Sequence, residues 1–401
     1  GDSFNSGYPG GSSRNMEVNI SGGVVGYSFR AYGDTVMNIS GGLINAGFTL
    51  AHSSVINFSG GTMGAVFVPT GTLRVLGDEF INGFGNMSAT LADGSVTIFA
   101  PESYDLFWTD RITLVKAAIP GVGLSVINSP GDPVPNGLRS GQTLNLSSGG
   151  VLGDYYAAVG ATLNINGGVA GGQIEVASSS VTITGGTVGG GFRAFTGSTI
   201  HMTDGMLGDN FGIFDGVTAT IDGGVIGDDV VAFAGSKLTI NGGAMGADAI
   251  AQGSSSVFIN GGVIGNNFDA YPSSTVAING GVVGDYFDAY GSTVNMTGGV
   301  IGNIAEIQNG STMHISGGRI GQDFNVFAGT LEDGSVFVFS SLAEDDFDPG
   351  AVVLRRGSVP VLSPVTINAP ADPIPNGVRA GQTLNLSVGA DVGDNFAAVG
   401  G

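Results

Sequence analysis

The chain has 401 residues, 74 of them glycine and none cysteine, and its 33 acidic against 12 basic side chains give a formal charge of -21. Glycine lacks the period of three that a collagen helix requires, and 42% hydrophobic content supplies a core, so neither a triple helix nor a disordered low-complexity segment fits. The acidity disfavours nucleic acid and anionic membranes, the lack of cysteine excludes disulfides and thiolate metal sites, and no apolar run approaches the roughly 18 residues of a membrane span.

The opening text "GDSFNSGYPGG" reads as a repeat cut part-way through, without a signal-peptide pattern. Over residues 1–90, glycine pairs begin at Gly22, Gly41 and Gly60. Over 141–330 they begin at Gly149, Gly167, Gly185, Gly223, Gly242, Gly261, Gly280, Gly298 and Gly317, with Asp204-Gly205 filling the one gap, so the step is 18 or 19 residues throughout. Each unit follows T-V-x-I-[NST]-G-G-x-[VI]-G-[DN]-x-F-x-A-[FY]-x-G. In the unit starting at Thr275, Val276 alternates with Ile278, Val283 stands between glycines, and Phe287 alternates with Ala289. Period-two alternation in bursts of three to five residues predicts strands, and the Gly, Asn, Ser and Asp between them predict turns.

Three short strands per coil predict an all-β parallel β-solenoid, because a burst this short pairs only with its equivalent in the next coil and one unit cannot bury its own apolar face. Adjacent coils then lie about 4.8 Å apart. Each consensus position becomes a column. Phe192, Phe211, Phe268, Phe287 and Phe324 are assigned to the interior, with Val230 and Ala249 as smaller members. Asn166, Thr184, Asp222, Asn241, Asn260, Asn279, Thr297 and Ser316 form a polar column before the glycine pair, whose side chains are expected to bond turn backbone. The variable position that includes Asn164, His201, Phe258 and His314 is an outward face. One uninterrupted three-faced stack is expected from Leu144 through Phe327.

Two strand-rich, wider insertions break this period, at 91–140 and 331–380, and residues 381–401 begin another block. The insertions resemble each other: Asp93, Asp132 and Gly141 recur 240 residues later as Asp333, Asp372 and Gly381. The Asp-Pro-[VI]-Pro-Asn-Gly text at Asp132 and Asp372 is a turn that re-enters the stack. The units, the "LEDGSVFVFSS" segment and the "GVRAGQTLNLSVGADVGDNFAAV" return together resemble long glycine-rich repeat proteins that planctomycete-type bacteria are predicted to secrete. That resemblance spans nearly the whole chain and implies an exported, cell-surface or matrix protein of β-solenoid type, with no activity to carry to particular residues.

The calcium-binding nonapeptide reads G-G-x-G-x-D-x-U-x, whereas this chain reads G-G-x-x-G-D-x-F. Its acidic column, Asp154, Asp209, Asp228, Asn266, Asp285, Asn303, Gln322 and Asp394, is diluted by Gly190 and Ala247. Asp209, Asp228 and Asp285 are the calcium candidates, set against a solvated acidic edge as the favoured reading. Asp269 and Asp288 fall at equivalent outward positions of successive coils, about 5 Å apart, near the separation of a retaining glycosidase pair; a coincidence of the repeat is favoured. His52, His201 and His314 are too scattered for a metal triad. Trp108, with Tyr104 and Phe107, reads as packing of the insertion rather than a sugar platform. The function expected is non-enzymatic: a rigid extracellular rod assembling end to end with copies of itself, and filaments that calcium bundles. The alternative is a carbohydrate-binding or polysaccharide-degrading β-helix protein.

Overall fold

The structure, a computed structural model, describes residues 5–6, 16–26, 30–31, 33–44, 48–50, 53–63, 66–67, 71–83, 86–99, 111–302, 305–308, 310–323, 326–340, 349–361, 365–375, 377–392 and 396–399. Phe324, Asn303, Asp394, His52, Tyr104, Phe107 and Trp108 lie outside the described residues. Two compact units, 1–199 and 200–401, divide the chain. Among the described residues no helix is long and apolar enough to cross a membrane.

A single coil shows why the repeat turns three times. In the coil beginning at Thr275, Gly281, Tyr286 and Gly291 take φ of 79°, 62° and 59°, and each redirects the chain at a corner. The three bursts between those corners pair in parallel with their equivalents 18 or 19 residues away, which is the parallel β-solenoid. Where pairing continues through the Asn-Gly-Gly corner, the first two bursts merge into one bent strand such as Thr275–Val283, with the register shifting on either side of Asn279.

In the second unit the first face stacks Thr218–Ile221, Lys237–Ile240, Ser256–Ile259, Thr275–Val283, Thr293–Ile301 and Thr312–Asp323. The third face stacks six strands, from Gly212–Ile213 to Ala305–Ile307. The first unit holds two such stacks, one from Glu17–Val25 to the start of Thr72–Gly83 and one from Val126–Ser129 to Ser180–Val188.

Phe192 in the first unit and Phe211, Val230, Ala249, Phe268 and Phe287 in the second are all buried, as their column requires. Phe268 and Phe287 stack with centroids 5.5 Å apart and planes 18° from parallel, and burying each ring stabilises the stack by about 2 to 3 kcal/mol. A second interior column is polar. Ser179 and Ser198 in one unit, and Ser236, Ser255, Ser274, Ser292 and Ser311 in the other, are buried at the third corner. Several close it by donating to backbone carbonyls, as Ser274 Oγ does to Tyr271 O (2.7 Å) and Ser311 Oγ to Ala289 O (2.8 Å).

The polar column before the glycine pair behaves differently from expectation. Its side chains bond one another along the stack instead of local turn backbone. Asn241 Nδ2 donates to Asp222 Oδ1 (2.7 Å), Asn260 to Asn241 (2.8 Å), Asn279 to Asn260 (2.9 Å), and Thr297 Oγ1 to Asn279 Oδ1 (2.8 Å). An amide is both donor and acceptor, so identical side chains at one coil spacing form a continuous ladder. Shorter ladders join Asn19, Asn38 and Asn57, and Asn128, Asn145 and Asn164.

The two interruptions share one strand pattern. Thr72–Gly83 turns back antiparallel against Asn86–Leu91, which pairs antiparallel with Val96–Phe99, and Ile112–Lys116 then returns parallel to Thr72–Gly83. Thr312–Asp323, Val326–Leu331, Val336–Ser340 and Val352–Arg356 repeat the same moves. Among the described residues each is an antiparallel ladder closed by one parallel return strand. Antiparallel pairing begins at Gly77 and Gly317, and Phe327 belongs to the reversed strand. The turns at Asp132 and Asp372 do lead back into parallel pairs: each carboxylate accepts a backbone N–H, from Asn128 and Asn368, at 2.8 Å.

Candidate functional site

The third face of the second unit carries the densest chemistry. Its strands read F-x-A-[FY], so Phe and Ala point inward and the intervening residue points out. Parallel register then places Asp269 beside Asp288 and Asp288 beside Glu306, one inter-strand spacing of about 4.8 Å apart. The next outward position holds Tyr271 and Tyr290, stacked with centroids 5.7 Å apart, and then Gln308. Tyr271 and Tyr290 each direct a hydroxyl at the carboxylate two residues back, at 3.4 Å to Asp269 and 3.2 Å to Asp288, and Gln308 Nε2 donates to Glu306 Oε2 at 3.1 Å.

The electrostatics follow from that crowding. Partial burial, then the nearby Asp248 charge, raises the Asp269 carboxyl above its ordinary value, against the Tyr271 hydroxyl, which lowers it. Burial, then Glu306, raises Asp288, whose Oδ1 has no hydrogen-bond partner. The Asp269 charge raises Tyr271, and burial with Asp288 pushes Tyr290 up to about 12. Carboxyls whose charged forms are disfavoured, at one strand spacing, can hold a proton at one and charge at its neighbour, and the stacked rings present a flat aromatic edge beside them.

Reading the sequence placed the Asp269 and Asp288 pair correctly but missed Glu306, because its coil departs from the consensus by setting Ala305 opposite Phe287. The 18-residue offset from Asp288 was the available signal. The tyrosine column stood in the consensus without being weighed.

The calcium candidates occupy another corner. Asp209 Oδ1 accepts the N–H of Asp228 (3.0 Å) and Asp228 Oδ1 that of Ala247 (2.8 Å), each reaching to the following coil. Asp285 donates its own N–H to Asn266 Oδ1 at 3.0 Å. These carboxylates and amides cap the turn of the next coil, a role that Asn fills as well as Asp and that explains the mixed column. Among the described residues no three His, Asp or Glu side chains converge as a metal site requires. His201 lies on the outward face, 2.7 Å from Asp222, and His314 is 3.4 Å from Arg355. Comparison with family models, with curated proteins and with solved structures found no match.

Proposed function

We propose that the protein is a structural one: a rigid β-solenoid rod of a fibre, stalk, surface layer or adhesin shaft, working outside the cell. The observation that carries this reading is the amide ladder from Asp222 to Thr297, in which every coil places a hydrogen-bonding side chain where the next coil needs it. Such cross-coil bonding adds stiffness along the stack and suits a load-bearing element better than a binding cleft. The likeness to secreted glycine-rich repeat proteins supports the location. End-to-end assembly with further copies belongs to the same reading, since an open strand edge pairs with another. The charge of -21 keeps rods apart at low salt, and calcium screens it. Negative-stain micrographs should therefore show unbranched rods at low salt that bundle when calcium is added. Compact, monodisperse particles under both conditions would refute the proposal.

The Asp269, Asp288 and Glu306 column beside Tyr271 and Tyr290 favours a second reading, a carbohydrate-binding or carbohydrate-cleaving face. Incubation with acidic and neutral polysaccharides separates the two. New reducing or unsaturated ends, abolished by Asp288→Asn, would support cleavage, and retention on a polysaccharide column lost in a Tyr271→Ala, Tyr290→Ala variant would support binding.

A further inference from the structure

The turns at Asp93 and Asp333 have no counterpart inside the stacks, yet they repeat each other closely. In each, the Leu N–H donates to the Ser carbonyl four residues on, at 2.8 Å for Leu91 and 2.9 Å for Leu331, and Gly94 and Gly334 take φ of 90° and 93°. Both turns sit on the Gly-Gly corner of the last regular coil. Asp93 Oδ2 accepts the N–H of Gly61 at 2.9 Å, and Asp333 Oδ2 that of Gly299 at 2.8 Å. Ser95 Oγ approaches Gly61 O at 3.2 Å and Ser335 Oγ approaches Gly299 O at 3.1 Å. Backbone N–H groups complete the contact, from Asp93 to Ser59 O at 3.1 Å and from Glu332 to Thr297 O at 2.8 Å. A Cβ at Gly60 or Gly298 would collide with the carboxylate as well as with the preceding coil's carbonyl, which glycine avoids at mid-stack corners too.

Inside the stack the carbonyl of the second glycine has a different partner. Gly224, Gly243 and Gly262 each accept the N–H of a residue in the next coil, from Ala244, Val263 and Val282, at 3.0 Å. At the end of the block the serine hydroxyl takes that place. The residue after the glycine pair is half exposed in mid-stack, 47% at Val225 and 53% at Val263, but only 7% at Val300, where the reversed strands pack against it. Among the described residues the third-face pairing runs to Val66–Phe67 and to Ala305–Ile307, and the first face continues through Ile112–Lys116 and Val352–Arg356.

We infer that the Leu-x-Asp-Gly-Ser-Val turn is a terminator of coil stacking: it imitates the next coil at the Gly-Gly corner and occupies the surface on which a coil of a second copy would pair. A bare corner would present an unmet glycine N–H and carbonyl together with an exposed Val, which is a template for association. The turn meets the N–H and the carbonyl within its own chain, and the reversed strands cover Val300, so block length is fixed by where the turn is written and axial contact between copies is diverted to other edges. This goes beyond the rod reading and needs only the coil stack.

The test uses the full chain with Asp333→Ala and Ser335→Ala together, followed by hydrogen exchange and light scattering. The Gly299 amide should exchange about tenfold faster or more, while protection across 218–259 stays at the parent level and the mass rises with protein concentration beyond that of the parent. Unchanged exchange at Gly299 would overturn the capping contact. Faster exchange without added association would overturn the terminator. If the double variant loses protection everywhere, Asp333→Ala alone, which removes the carboxylate that accepts the Gly299 N–H and keeps Ser335, decides by the same two readouts. Compact parent particles in micrographs would sink the rod proposal without altering this comparison.

Discussion

The stack from Thr218 to Ile301 and the reversed strands from Gly317 to Ser340 are written with the same residues and do opposite things. In the stack, each Gly-Gly corner meets the next coil, the third-face Phe column is continuous through Phe268 and Phe287, and each interior ladder side chain has a partner in both the preceding and the following coil. In the reversed strands, a glycine turn and an Asp-Ser pair bond backward onto the last corner. Whether a Gly-Gly corner propagates or stops a solenoid is decided by what meets its polar groups: the backbone of a further coil, or the Asp and Ser side chains of a turn.

The largest effect that would break this contrast lies in the stack. Phe287→Asp puts an unpaired charge into a closed core beside Phe268 and should cost about 4 kcal/mol or more, abolishing cooperative melting. A variant melting like the parent would mean that the interior face is misassigned.

The two interruptions sharpen the contrast by differing from each other. Arg139 is buried and bonds Glu79 at 3.0 Å and 3.2 Å and Pro120 O at 2.7 Å, whereas Arg379 has the matching contact to Pro360 O at 3.1 Å and Arg319 at the position 240 residues after Glu79. Because Glu79 is 41% exposed, Arg139→Ala should cost about 2 kcal/mol, less than a fully buried pair would, and more than Arg379→Ala. Bonding to Arg139 holds the Glu79 carboxyl below its ordinary value. The stability it adds is complete above the unfolded pKa of 4.5 and is lost as pH falls through the lower folded value. Denaturant melts of parent and Arg139→Ala at neutral and acid pH should converge as the pH drops.

A smaller loss is expected in the ladder. Asn260→Ala removes one bond to Asn241 and one from Asn279 at an exposed site, about 1 kcal/mol, with exchange quickening at the neighbouring corners first. The smallest effect has the opposite sign. Asp288 has a raised folded pKa, so its ionisation opposes folding, and this penalty is absent below the ordinary value of 3.8 and complete above the folded one. Asp288→Asn should therefore raise the melting temperature slightly at neutral pH and leave it unchanged in acid.

Much of this was legible in the chain. The Gly-Gly step gave the coil, and alternation at Val276 and Ile278 and at Phe287 and Ala289 gave the faces. Reversal at Gly317 was hidden because alternation reads the same in parallel and antiparallel pairs. The amide ladder was misread because Asn279 finds its partners at Asn260 and Thr297, a full coil away, while local sequence suggests only turn bonding. The buried serines were taken for turn residues, since a hydroxyl inside a corner and one in solvent look alike in sequence. Glu306 escaped because its coil carries Ala305 where the pattern has Phe.

The parallel stack itself is tested most directly by X-ray fibre diffraction from the oriented protein. The account predicts a meridional reflection near 4.8 Å, with strands perpendicular to the long axis of the particles. A 4.8 Å reflection on the equator, or none, would contradict it.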